Sequence, residues 1–236
     1  MATQKTFVPL ENNPEVMTKL AHKLGLSTDL HFHDIYSLTD PDLLALIPRR
    51  AQALLFVYPS TPEAERFYEQ EYQNEPDYDG FGSEPVLFYR QRITHACGLI
   101  GLLHCVTNPT RSYILPGSHI DDLIKQIDPL KPEPRAKFLH DSEILDAAHD
   151  SAAHTGDTTP PQRGDCPDQA FIAFVKGTDG HLYELEGRRK GPIDRGVLPE
   201  DADMLSQEAI EKGPLPFIKR AEASGGNLMF SCTVLA

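Results

Sequence analysis

The chain has 236 residues, 40% hydrophobic and 24% charged, which is one domain's length with apolar material for a large core and excludes whole-chain disorder. Its 22 basic residues against 35 acidic ones leave a net charge of −13. That balance argues against nucleic acid, whose phosphates need a Lys/Arg footprint, and favours encounter with a basic partner.

Asn13-Pro14-Glu15 reads as a helix start, with Asn13 as cap and Glu15 at the positive end; Val16, Leu20 and Leu24 recur at four-residue spacing before Gly25. Asp40 or Asp42 can cap a short helix over 43–47, which Pro48 ends. Residues 51–58 form a continuous apolar run, fitting a strand buried on both faces. A solvated helix followed by a loop is expected within 63–84, and a short strand at 85–91. Residues 94–108 are apolar all round, with Gly98 and Gly101 on one side, as in a helix within the core. Helical patterns follow at 118–127, capped by Ser118, and at 134–148. The polar stretch 150–169 is too long for an ordinary connection and reads as a functional or disordered loop. A hairpin then joins 170–176 to 181–186, and a last strand covers 227–235.

The longest apolar run, 96–106, is half a membrane span and carries His104, and the first ten residues lack the apolar stretch of a signal peptide. Four cysteines, Cys97, Cys105, Cys166 and Cys232, show no C-x-x-C spacing. A reducing, cytoplasmic compartment without membrane contact is therefore expected, and a redox-thiol function, which needs a resolving cysteine, is disfavoured. Cys97 is expected in the first turn of the buried helix, where the positive helix end lowers a thiol's pKa and favours thiolate. Cys105 reads as inert core filling. His31 and His33 lack partners at ligand spacing, so no metal or cofactor is expected.

Gln91-x-x-x-x-Ala-Cys-Gly-x-Ile-Gly-Leu-x-His resembles the active-site motif of the ubiquitin C-terminal hydrolase family, cysteine peptidases of papain-like layout. The resemblance extends through residues 9–16, 34–38 with 43–48, 153–156 and 180–188, nearly the whole chain. It implies an α/β fold with a central, mainly antiparallel sheet flanked by helices and a knotted backbone, over a single catalytic domain of residues 1–236. It implies hydrolysis of small adducts or tails from the C-terminal glycine of ubiquitin or a relative such as Nedd8. Cys97 would be the nucleophile, and Gln91 would donate to the oxyanion beside the Cys97 N–H. Residues 150–168 would be the family's crossover loop. Glu11, Glu15 and Asp34 would meet the basic surface of ubiquitin, and a monomer is expected.

Similar proteins carry a histidine as general base at the start of the first hairpin strand and an aspartate to orient it at the end of the second. Here Ala170 and Glu186 stand at those positions. If residue 170 faces 186, the turn is a three-residue loop, Gly177-Thr178-Asp179, and Glu186 still reaches the site. His181, five residues from Glu186, faces the other way. His95 is expected to be partly exposed near the cleft, and Arg188-Arg189-Lys190 to be a solvated turn. Two readings fit: a competent peptidase severely impaired by the absence of its base, or a non-catalytic, ubiquitin-binding pseudoenzyme.

Overall fold

The computed structural model describes residues 5–80, 84–161 and 169–236. Six strands, β1 (Phe32–Asp34), β2 (Ala53–Pro59), β3 (Gln169–Lys176), β4 (His181–Leu185), β5 (Ile193–Val197) and β6 (Ser231–Leu235), form one sheet. The order is β1-β6-β2-β3-β4-β5, antiparallel at every junction. β2 is buried along its whole length because alternate side chains enter two cores: Ala53, Leu55 and Val57 one, Leu54, Phe56 and Tyr58 the other. That is why 51–58 shows no polar alternation.

α1 (Pro14–Leu24) starts as predicted, Asn13 accepting from the Glu15 and Val16 N–H groups, and ends at Gly25. α2 (Pro41–Leu44) begins under Asp40, which takes the Asp42 and Leu43 N–H groups; Asp40 is the cap, and the helix lies earlier than the predicted 43–47. α3 (Pro62–Asn74) is the solvated helix, capped by Thr61, with no fully buried residue. α4 (Cys97–Thr107) is buried along nearly all its length and packs on β2 and β3. It starts three residues later than the pattern suggested, because His95 takes a left-handed φ of 62° and turns the chain. Gly101 lies where a Cβ would be 2.6 Å from Leu55, so the predicted close neighbour is the sheet itself.

α5 (His119–Ile127) is capped by Ser118. The single run expected at 134–148 is two helices, α6 (Pro132–His140) and α7 (Glu143–Ala153), because Ser142 accepts from the Leu145 N–H and starts a new cap. The expected long loop thus begins only after Ala153, and residues 162–168, including Cys166, lie outside the described residues. α8 (Gln207–Lys212) and α9 (Leu215–Ala223) precede β6, which starts at Ser231 rather than 227.

The expected strand at 85–91 is an extended segment bonded by side chains instead of a neighbouring strand. Asn108 accepts from the Leu87 N–H (2.6 Å) and donates to its carbonyl (3.1 Å). His104 Nε2 accepts from the Tyr89 N–H (2.9 Å), and Arg135 donates to the Phe88 carbonyl (3.1 Å). Phe88 and Tyr89 are fully buried, so the apolar pattern registers burial without revealing the partner. Burial pushes the His104 pKa down to about 3, which keeps its ring neutral and able to accept.

The hairpin corrects a second expectation. Ala173 faces Leu185 and Lys176 faces Leu182, a register two residues away from the one that sets 170 against 186. Gly180 has φ +83° and belongs at the third loop position, where a left-handed residue follows a type I turn; the loop is therefore Thr178-Asp179-Gly180. β4 ends at Leu185, and Glu186 opens a turn in which its carbonyl accepts from the Arg189 N–H.

Candidate active site

Cys97 is the first residue of α4, partly exposed, so its N–H is among the donors a helix leaves unpaired at its start. It lines a cavity of about 290 Å³ shared with Gln91, His95, Gln169, Ala170 and Arg188. The Gln91 segment is held there by its own N–H, bonded to the Gly187 carbonyl at 2.8 Å. A Cβ at Gly187 would come within 2.9 Å of both Gln91 and Ile100, so only glycine lets the turn after β4 approach this closely. Gln91 Nε2 donates to the Ile93 carbonyl (3.0 Å), which leaves its second hydrogen for another acceptor, and Oε1 is buried without a partner.

Ala170 sits on β3 opposite Tyr58, is 5% exposed, and is among the residues lining this cavity. The sequence motif thus brings Cys97, Gln91 and position 170 together. Glu186 does not reach the cavity. It is 2% exposed and bound behind the wall by Arg188, whose Nε donates to its Oε1 at 2.5 Å. Arg188 is the residue the sequence reading missed: it also donates to the Tyr58 hydroxyl (3.1 Å) and to Glu65 (3.3 Å), and stacks over Tyr68. A guanidinium therefore occupies the carboxylate where the family pattern has an imidazole. The only signal in the sequence is an arginine two residues after the carboxylate.

Arg189 is also no solvated turn. It is 3% exposed and pairs with Glu71 (2.7 Å) and Glu75 (2.6 Å) of the α3 segment. Burial pushes the Glu186 pKa up to about 7, against the lowering effect of the two arginines.

Burial works against the expected thiolate. Burial pushes the Cys97 thiol up to about 11, outweighing the Gly98 N–H at the helix start and the Arg188 charge, both of which lower it. Alkylation of Cys97 by iodoacetamide is accordingly expected to rise about tenfold per pH unit from pH 7 to 10 without a plateau. Peptide mass mapping at each pH checks this, and a plateau near neutrality would show an ion pair at the thiol.

His95 is the imidazole on this lining, partly buried as expected, and it forms the turn into α4. His181 lies elsewhere, its Nδ1 at 2.9 Å from Asp194 of β5. His31 bonds the Thr28 carbonyl, and among the described residues no group of three or more His, Cys, Asp or Glu side chains could hold a metal ion. No helix among them is long and apolar enough to cross a membrane.

The acidic residues named from the sequence are dispersed. Glu15 is exposed and pairs with Lys19, and Asp34 is exposed at the end of β1. Glu11 is occupied within the chain, accepting from the N–H (3.0 Å) and hydroxyl (2.8 Å) of Thr158 after α7, while Asn13 donates to Asp157.

Residues 7–213 match the family model described as ubiquitin carboxyl-terminal hydrolase, family 1. The chain is 37% identical over 220 residues to ubiquitin carboxyl-terminal hydrolase 3 of Arabidopsis thaliana, covering 90% of this chain and 91% of the relative. It is 34% identical over 228 residues to isozyme L1 of Rattus norvegicus, covering 96% of each. The fold is similar to that of the UCH37 catalytic domain of Trichinella spiralis, solved bound to ubiquitin vinyl methyl ester. That match has a TM-score of 0.72 and 18% identity, over 98% of this chain and 94% of the other.

Proposed function

Because the chain belongs to the ubiquitin carboxyl-terminal hydrolase family of deubiquitinating cysteine peptidases, we propose that its cavity receives the C-terminal tail of ubiquitin, or of a relative such as Nedd8, with almost no turnover. The observation that carries this is one cavity lined by Cys97, Gln91 and Ala170.

Cys97 Sγ would attack the carbonyl carbon of the last glycine, and the bond from it to the leaving group would break. The oxyanion would be held by the Cys97 N–H and the free hydrogen of Gln91 Nε2. What is missing is the imidazole at position 170 that would remove the thiol proton and return it to the leaving amine. Glu186, tied to Arg188, has no base to orient. Small adducts and extended tails are the substrates this reading favours. Residues 1–236 would act as one catalytic unit, and the stretch following α7, fastened to Glu11 through Thr158, would be its crossover loop. Glu15 and Asp34 would face the basic surface of the partner.

The alanine at position 170, in a cavity that otherwise holds Cys97 and Gln91, favours a second reading, a pseudoenzyme that only captures ubiquitin. Calorimetry with ubiquitin and with Nedd8, run beside hydrolysis of a ubiquitin C-terminal fluorogenic substrate, tests both readings. Saturable 1:1 binding of one of them is expected, with hydrolysis indistinguishable from a Cys97→Ser blank. Turnover on the order of 1 s⁻¹ or more, typical of enzymes, lost in Cys97→Ser, would show that the site has its base after all. Absence of binding to either protein would end the tail-capture reading.

A further inference from the structure

A second cavity, about 420 Å³, lies between α3, α9 and the segment entering β6. Its walls are aromatic: Tyr58, Phe67, Tyr68, Phe217 and Phe230 all line it. This volume is in the range of small-molecule sites, and such walls offer flat stacking surfaces. The lining also carries Arg220, half-buried, with its guanidinium 3.2 Å from the Phe67 ring centre and 5.4 Å from that of Phe217.

Arg220 is the anomaly of this wall. Glu63 is paired with Arg66, and Arg189 with Glu71 and Glu75. Among the described residues the Arg220 guanidinium makes no hydrogen bond and no ion pair within 4 Å, and it stacks on the two aromatic faces. Burial lowers its pKa, outweighing the attraction of the Glu71 and Glu184 carboxylates, with which it makes no direct ion pair. A guanidinium matches a carboxylate bidentately, and its own stacking on Phe67 holds that fork in place.

We propose that this cavity is a binding site for a small planar aromatic carboxylate, whose ring lies between the aromatic walls and whose carboxylate pairs with Arg220. Tyr58 and Tyr68 are walls of this cavity and also partners of Arg188, which lines the Cys97 cavity. The two cavities therefore share a partition, although the proposed ligand is independent of the tail-binding reading.

The probe is indole-3-acetate, titrated into the full-length protein with amide shifts followed by NMR, and indole-3-acetamide is its uncharged control. For about 13 non-hydrogen atoms at about 0.3 kcal/mol each, a Kd on the order of 1 mM is expected. Shifts should map to α3 and α9, and both the amide control and Arg220→Gln should weaken binding about tenfold or more, the loss of a charge-assisted pair. Phe67→Leu, which keeps the guanidinium but removes its stacking face, should weaken it less. Equal affinity for the carboxylate and the amide, unchanged affinity in Arg220→Gln, shifts confined to residues around Cys97, or no saturation would each overturn the proposal.

Discussion

Replacing Ala170 with histidine is expected to raise hydrolysis of a ubiquitin C-terminal fluorogenic substrate by about 10³–10⁶-fold over the parent chain, the range that separates a complete nucleophile–base–acid set from one lacking a member. Position 170 is already placed for it. Ala170 is among the residues lining the cavity of about 290 Å³ that holds Cys97, and β3 is fixed by pairing with β2. The gain has a chemical origin that can be read separately. A thiol pushed up to about 11 by burial would acquire an acceptor for its proton, and its alkylation profile should move to lower pH together with the rise in turnover. Glu186 bears on the size of the effect, because Arg188 now holds the oxygen that would orient the new ring. Pairing Ala170→His with Arg188→Gln should therefore increase turnover further if Glu186 is then released to the ring. Turnover that survives Cys97→Ser in the histidine variant, or an unchanged alkylation profile alongside unchanged turnover, would remove Cys97 or position 170 from the mechanism.

The parts of this protein that were legible in its sequence are those whose cause is local. Asn13, Ser118 and the apolar run at 51–58 announce caps and a doubly buried strand because one residue type, or one short pattern, suffices to produce each. The Cys97 motif identified the cleft for the same reason: Gln91 and Cys97 lie six residues apart on one short connection into α4. What stayed hidden depends on partners distant in the chain. Segment 85–91 is apolar like a strand, yet Asn108, His104 and Arg135 bond its backbone. The hairpin register turned on which of two glycines took the left-handed position, and Gly180 does. Arg188 and Arg189 look like a solvated turn until α3 supplies Glu65, Glu71 and Glu75 from more than a hundred residues earlier. For the thiol, helix position is visible in sequence while the burial that works against its ionisation is not.

That same α3 contact carries the largest expected loss of stability. α3 has no fully buried residue, so apolar burial contributes little to its docking; it is held against the turn after β4 by Arg189, which pairs with Glu71 and Glu75 and stacks on Tyr68 at 4.4 Å. Glu184, fully buried, and Glu186 approach the same guanidinium at 3.7 Å. Arg189→Met would keep the volume but leave four carboxylates around an apolar side chain, and breaking a buried ion cluster from one side typically costs about 3–5 kcal/mol. Urea unfolding of the variant against the parent at pH 7 is expected to show that loss, with α3 amides exchanging with solvent faster than the sheet. Lysine should not restore it, because a point ammonium does not reproduce the fork that reaches Glu71 and Glu75 at once. Adding Glu75→Gln to Arg189→Met should recover part of the loss, since much of it is repulsion among the carboxylates left behind rather than the attraction removed. If Arg189→Met instead unfolds within about 0.5 kcal/mol of the parent, the scale of an ordinary surface substitution, α3 is held by its aromatic contacts, and the ion cluster is only a surface arrangement.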